Sequence, residues 1–165
     1  MDQVKIGWGR REISMNEPVC IPGQMYIRVS EGIHDPLYVT ALCVDGGKGQ
    51  DVVIFLSCDV VTQWSGILKP MCRKLKELRP DTPILLCGGC TEKAVPRPQE
   101  VISRKIFDKL KAEDPAKWAN LHFLSGVDQL PNNSDCTTDH CHPNVYGFMY
   151  MAPVYAKAVR KILGL

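Results

Sequence analysis

The sequence has no long run of Lys or Arg, no internal repeat and no low-complexity segment. Its 20 Lys and Arg side chains nearly balance 18 Asp and Glu side chains, for a formal charge of +2. This balance excludes the electrostatic footprint of a protein that binds DNA, RNA or an anionic membrane surface. No apolar stretch approaches the roughly 20 residues that span a bilayer. Asp2 and Lys5 stand where a signal peptide would have its apolar core, so we expect a cytoplasmic protein.

The composition is that of one ordinary soluble domain, with 45% hydrophobic and 23% charged residues. We therefore expect residues 1–165 to form a single α/β domain. Most of the eight cysteines lie inside apolar runs, such as residues 37–44 and 52–61. Because a chain of this length can build a core without covalent cross-links, we expect reduced thiols rather than a disulfide framework.

The apolar patterns predict strands first and alternating strands and helices later. Runs of β-branched and aromatic residues indicate strands at 24–29, 37–44 and 52–56, and the glycine-rich turn at 45–49 makes the last two a hairpin. Helical periodicity follows at 64–78, 101–110 and from Pro143 towards Leu163. Two short buried strands, Ile84–Cys87 and Leu121–Leu124, separate these helices.

This order of elements predicts a small three-layer, mostly parallel sheet with an added N-terminal β-hairpin. The strand at 52–56 lacks polar alternation, which is typical of burial on both faces in the middle of a sheet. Each later strand is separated from the previous one by a helix-length crossover, so the strands near 52–57, 83–87 and 121–125 are expected to be parallel.

The clearest chemical motif is residues 139–144, Asp-His-Cys-His-Pro-Asn, between a loop and the last predicted helix. An Asp three residues before a His on a tight turn can bind imidazole Nδ1–H and leave Nε2 facing a nucleophile. This motif resembles the Asp-x-x-His-Pro-Asn block that ends SGNH/GDSL hydrolases, which are esterases and lipases of flavodoxin-like fold. The resemblance covers residues 79–165 and implies His142 as general base and Asp139 as its orienting acid. The alternative is a polar helix cap with a solvated histidine.

The first 75 residues resemble a different family, the N-terminal region of the neutral/alkaline ceramidases. Residues 4–14, 18–23, Arg28 with 31–42, and 52–61 carry this resemblance, and Gly-Ile-His-Asp-Pro-Leu-Tyr is its most specific part. The resemblance implies a zinc amidase with a Thr-His-Thr-His-x-x-Pro segment after the next strand. Residues 90–96 are Cys-Thr-Glu-Lys-Ala-Val-Pro and contain no histidine. Zinc amidase activity is therefore not expected, and no metal or other cofactor is assigned.

The SGNH/GDSL resemblance requires a serine nucleophile after its first strand, and Ser57 is the best candidate. In the segment Ser57-Cys58-Asp59, Asp59 occupies the nucleophile's position and Ser57 that of the family's glycine. The family's two blocks of oxyanion donors have no match here. The chain thus resembles the front of one hydrolase family joined to the back of another, as a recombinant, a truncated gene product or a made chimera would.

These observations favour an SGNH-like hydrolase of small-molecule or lipid-like esters, acting through Ser57, His142 and Asp139. Two other interpretations stay open: a catalytically silent α/β protein or ceramidase-related fragment, and a thiol or zinc protein that uses Cys87 and Cys90. A Cys-x-x-Cys pair at the end of a strand can be a redox pair or half of a zinc site. The sequence leaves the oligomeric state open.

Overall fold

The computed structural model describes residues 4–21, 26–47, 52–60, 65–132, 135–139 and 142–165. The chain divides into two compact units, Met1–Gln63 and Trp64–Leu165. Compactness of each unit does not determine whether the two fold together. The single α/β domain expected over residues 1–165 therefore stays a prediction.

The unit Met1–Gln63 contains a three-stranded antiparallel sheet in the order β1-β2-β3. The strands are β1 (Lys5–Glu12), β2 (Tyr38–Asp45) and β3 (Val52–Cys58). The predicted hairpin is present as β2 and β3, with Asp45 opposite Val52. The predicted strand at 24–29 is wrong for residues 26–29, where only an isolated bridge from Cys20 to Val29 forms; residues 24 and 25 lie outside the described residues.

The predicted mostly parallel three-layer sheet is wrong. The strand β3 pairs antiparallel with β2, and the parallel pairing is limited to a separate two-stranded sheet. The short connection between β2 and β3 favours the local antiparallel pairing over a parallel partner distant in sequence. Ile54, Phe55 and Leu56 are exposed, so the apolar run in β3 does not mark a strand buried on both faces.

The unit Trp64–Leu165 alternates helices with short strands, as the sequence predicted. Its elements in chain order are α1 (Ser65–Leu78), β4 (Ile84–Cys87), α2 (Pro98–Glu113), β5 (Leu121–Leu124), a 3₁₀ turn (Gly126–Asp128) and α3 (Val145–Leu163). The strands β4 and β5 are parallel, with Ile84 opposite Leu121 and Cys87 opposite Leu124. This pairing confirms the parallel relation predicted for 83–87 and 121–125.

The hydrophobic core of this unit lies between α1, α2 and the two parallel strands. Its buried members are Leu68, Cys72, Leu86, Leu110, Trp118 and Leu121. The rings of Phe107 and Phe123 pack edge to face beside them, with centroids 5.6 Å apart. Helix α1 is also joined to α2 by ion pairs of Lys69 and Arg73 with Glu113. The core therefore fixes the strands whose carboxyl ends lead into the candidate site.

Candidate functional site

The candidate site lies on the segment that precedes α3, here called the His142 loop (residues 135–144, of which 140 and 141 lie outside the described residues). Asn144 caps α3, since its side-chain oxygen accepts a hydrogen bond from the backbone N–H of Gly147 at 3.0 Å. The Asn144 N–H donates to the Cys136 carbonyl at 3.0 Å. A Cβ on Gly147 would lie 2.2 Å from that same carbonyl oxygen, so the close approach requires glycine. The helix start thus anchors one end of the loop.

The two sides of the His142 loop are hydrogen-bonded to each other. Thr137 and Pro143 form an antiparallel bridge, and the Thr138 N–H donates to the His142 carbonyl at 3.0 Å. The Thr138 hydroxyl reaches the same carbonyl at 3.3 Å. Asp139 and His142 therefore occupy the tip of a short, closed turn.

Asp139 and His142 contact each other at this tip in the way their spacing predicts. The Oδ1 atom of Asp139 accepts the backbone N–H of His142 at 2.8 Å, and Oδ2 lies 2.7 Å from His142 Nδ1. One carboxylate therefore holds both the backbone and the ring of the same histidine. With its proton on Nδ1, the imidazole carries a lone pair on Nε2.

The pair is accessible to solvent and to a ligand. The His142 side chain is 75% exposed and that of Asp139 is 51% exposed. An oriented imidazole with an accessible Nε2 can accept a proton from a hydroxyl group, which is the chemistry of a general base.

The His142 loop is held by the buried carboxylate of Glu92, a residue that the sequence did not predict to belong to the site. Glu92, in the segment between β4 and α2, is only 5% exposed. Its Oε1 accepts the backbone N–H of Cys136 at 2.7 Å, and its Oε2 accepts the Thr137 hydroxyl at 2.6 Å. No local pattern marks this role, because the partners are 44 and 45 positions apart in sequence.

The candidate nucleophile, Ser57, lies in the unit Met1–Gln63. It is an exposed residue near the end of β3, opposite Thr40 of β2. Asp59, which the SGNH/GDSL resemblance places at the nucleophile's position, makes a structural contact: its Oδ2 accepts the backbone N–H of Tyr38 at 3.0 Å. The structure thus brings Asp139 and His142 together, and places Ser57 in the other unit.

The Cys87–Cys90 segment begins at the last residue of β4 and is held by backbone and side-chain hydrogen bonds. The Gly88 N–H donates to the Leu124 carbonyl at 2.8 Å, and the Gly88 carbonyl accepts the Gln129 amide at 2.8 Å. Desolvation raises the pKa of the Cys87 thiol, although part of the residue is exposed, and a hydrogen bond with Tyr155 opposes this effect. Desolvation also raises the pKa of Tyr155, ahead of the nearby Cys87. A raised thiol pKa disfavours the thiolate that metal binding and redox exchange require.

A second buried carboxylate, Glu100, supports the neighbouring turn rather than the His142 loop. It is 3% exposed, accepts the backbone N–H of Gly126 at 2.8 Å and bonds the Ser125 hydroxyl. A Cβ on Gly126 would lie 1.8 Å from the Gly89 carbonyl oxygen. The loops after β4 and β5 therefore touch through their backbones.

We expect Gly126→Ala to destabilise the unit Trp64–Leu165, because the added methyl group overlaps a backbone oxygen that no rotamer change can move. The cost of overpacking a buried site is about 1–3 kcal/mol. Gly66 is the matched control, since a Cβ there meets nothing within 4 Å. Urea unfolding followed by circular dichroism measures both variants. Equal stability of Gly126→Ala and Gly66→Ala would contradict the close approach.

The described residues contain neither a cluster of metal ligands nor a helix that could cross a membrane. No group of three or more His, Cys, Asp or Glu side chains there is placed to hold a metal ion. Among the described helices, none combines the length and apolarity needed to cross a membrane.

No protein-family model, no curated protein and no solved structure matches the chain. The resemblances to SGNH/GDSL hydrolases and to ceramidases therefore stay predictions.

Proposed function

We propose that the protein is an SGNH-like hydrolase that cleaves small-molecule or lipid-like esters. His142 acts as general base, Asp139 orients it, and Ser57 is the nucleophile. The observation that carries the proposal is the contact of 2.7 Å between Asp139 Oδ2 and His142 Nδ1. This contact supplies two members of a catalytic triad, the general base and the acid that orients it.

The second hydrogen bond of Asp139 supports a role beyond capping. A carboxylate that only capped a turn would need the backbone N–H alone, whereas Asp139 uses its other oxygen on the imidazole ring. This contact favours the tautomer with Nε2 unprotonated, which is the form that removes a proton from a hydroxyl.

The reaction follows from these roles. In the proposed reaction the serine hydroxyl oxygen attacks the ester carbonyl while the general base takes its proton. Collapse of the tetrahedral intermediate breaks the bond to the alcohol oxygen, which leaves with that proton. The same base then takes a proton from water, whose oxygen attacks the acyl-enzyme; collapse of the second intermediate breaks the bond to the serine oxygen, which receives that proton as the carboxylic acid leaves.

A fluorophosphonate probe tests the nucleophile directly, because it forms a covalent bond with an activated serine. We expect mass spectrometry to find the label on Ser57 and to find none in Ser57→Ala. Ser14→Ala is a control in the same unit, since the Ser14 hydroxyl already accepts the Leu37 N–H at 2.9 Å. Label on a different serine would remove Ser57 from the mechanism, and no label on any serine would favour the catalytically silent protein.

A further inference from the structure

The buried carboxylate of Glu92 contacts the side of the His142 loop through which the chain enters it. Cys136 and Thr137 donate to its two oxygens at 2.7 and 2.6 Å. Thr137 is itself buried, as is Cys136. Hydrogen bonds to a carboxylate shielded from water are stronger than those between neutral groups. Glu92 therefore fixes the position of this side of the loop relative to the segment that follows β4.

The other side of the loop is fixed through these same two residues. Cys136 accepts the N–H of Asn144, the residue that caps α3, and Thr137 bridges to Pro143. Asp139 lies two residues beyond Thr137, and His142 lies directly before Pro143. A displacement of residues 136 and 137 would thus move both partners of the Asp139–His142 contact.

We propose that Glu92 is a positioning residue for the Asp139–His142 pair. Its two hydrogen bonds hold the base of the His142 loop so that Asp139 meets Nδ1 of the imidazole. The expected effect of Glu92 on the rate of hydrolysis rests on the proposed hydrolase function. Its expected effect on the tautomer of the His142 imidazole does not. The effect of Glu92 on the imidazole is transmitted through Cys136 and Thr137, the residues of the loop that its carboxylate holds.

Glu100 provides a matched control within the same unit. Both glutamates are almost fully buried, and each accepts one backbone N–H and one side-chain hydroxyl. The partners of Glu100 are Ser125 and Gly126, which lie outside the His142 loop. Glu100→Ala therefore reports the loss of stability that follows from removing a buried carboxylate, while the hydrogen bonds of Glu92 to the His142 loop are kept.

The test measures which ring nitrogen of His142 carries the proton, by nitrogen chemical shifts in the full chain with isotope-labelled histidine. The four histidines are assigned from single His→Gln variants. We expect the proton on Nδ1 in the unmodified protein and a mixture of both tautomers in Glu92→Ala, because Asp139 then no longer holds the ring. Glu92→Gln should restore the original signal, since its amide can accept from Cys136 and donate to the Thr137 oxygen. Glu100→Ala should leave the His142 tautomer unchanged.

Thr137→Val keeps the test decisive if Glu92→Ala fails to fold. It removes the hydroxyl that donates to Glu92 and preserves the shape of the side chain, and Ser125→Ala is its counterpart at Glu100. We expect partial loss of the Nδ1–H tautomer in Thr137→Val and none in Ser125→Ala. A folded Glu92→Ala or Thr137→Val protein with an unchanged tautomer would overturn the proposal, as would an equal change in Glu100→Ala.

Ester hydrolysis separates this proposal from the proposed function. In an active chain, we expect Glu92→Ala to lower kcat by about 10- to 100-fold with a much smaller change in KM, because misplacement of a catalytic group by 1 Å can cost about 100-fold. If the unmodified protein hydrolyses no ester while Glu92→Ala still changes the tautomer, the hydrolase function fails and the positioning role stands.

Discussion

His142→Ala is expected to lower kcat/KM for an activated ester by about 10²- to 10⁴-fold, the contribution typical of a positioned general base. In the proposed mechanism the loss arises because a serine hydroxyl is a weak nucleophile until a base takes its proton, and alanine offers no acceptor at the position of Nε2. In free-energy terms this is about 3–5 kcal/mol of transition-state stabilisation. Initial rates on p-nitrophenyl acetate, with enzyme and substrate varied, measure it.

The control for His142→Ala is His34→Ala, which removes a histidine whose side chain is 97% exposed and which also contacts an aspartate, Asp35. Its rate should equal that of the unmodified protein. Asp139→Asn adds a graded result: the amide keeps the shape of the carboxylate but can present an N–H to Nδ1, which favours the wrong tautomer. We expect its rate to fall as well. A rate unchanged in His142→Ala would remove the histidine from the reaction.

The spacing of Asp139 and His142 in the sequence was sufficient to predict the contact between their side chains. An Asp and a His three positions apart, before a proline and an asparagine cap, leave few ways to arrange the turn. The structure has the carboxylate on Nδ1 and on the backbone N–H of His142. The catalytic roles of both residues stay predictions, as does that of Ser57, because they depend on a nucleophile and a substrate.

The supports of the site could not be predicted in the same way. Glu92 and Glu100 bond to partners 25 to 45 positions away, and in sequence each is an ordinary charged residue that would be expected on the surface. Burial of a carboxylate depends on which backbone N–H groups the tertiary structure brings to it. A single sequence contains no local pattern that reports this.

For the strands and helices too, local features could be predicted from the sequence, whereas contacts of β3 with distant segments could not. The hairpin of β2 and β3 and the helices of the second unit follow from turn residues and apolar periodicity, and these predictions were correct. The parallel partner predicted for β3 was wrong. An apolar run shows that a strand is hydrophobic, but it does not show which strands pair with it or which elements cover it. In the structure Phe55, in the middle of that run, is exposed.

The core of the unit Trp64–Leu165 gives the largest expected effect on stability. Trp118 lies between α2 and β5, is 2% exposed and packs in the cluster with Leu68, Cys72 and Leu110. Removing an aromatic side chain from such a site loses its transfer free energy and leaves a cavity. We expect Trp118→Ala to lower the free energy of unfolding by about 3–5 kcal/mol. Because small domains are stable by only about 5–15 kcal/mol, this unit would lose a large part of its stability.

Trp8→Ala is the matched control, since Trp8 in β1 is 88% exposed and its removal should change stability by less than about 0.5 kcal/mol. Urea unfolding followed by far-ultraviolet circular dichroism suits both variants, because it does not depend on the tryptophan that is removed. Trp118→Phe should fall between the unmodified protein and Trp118→Ala, as it refills part of the cavity with an apolar ring. A Trp118→Ala protein as stable as Trp8→Ala would show that this residue is not part of the core.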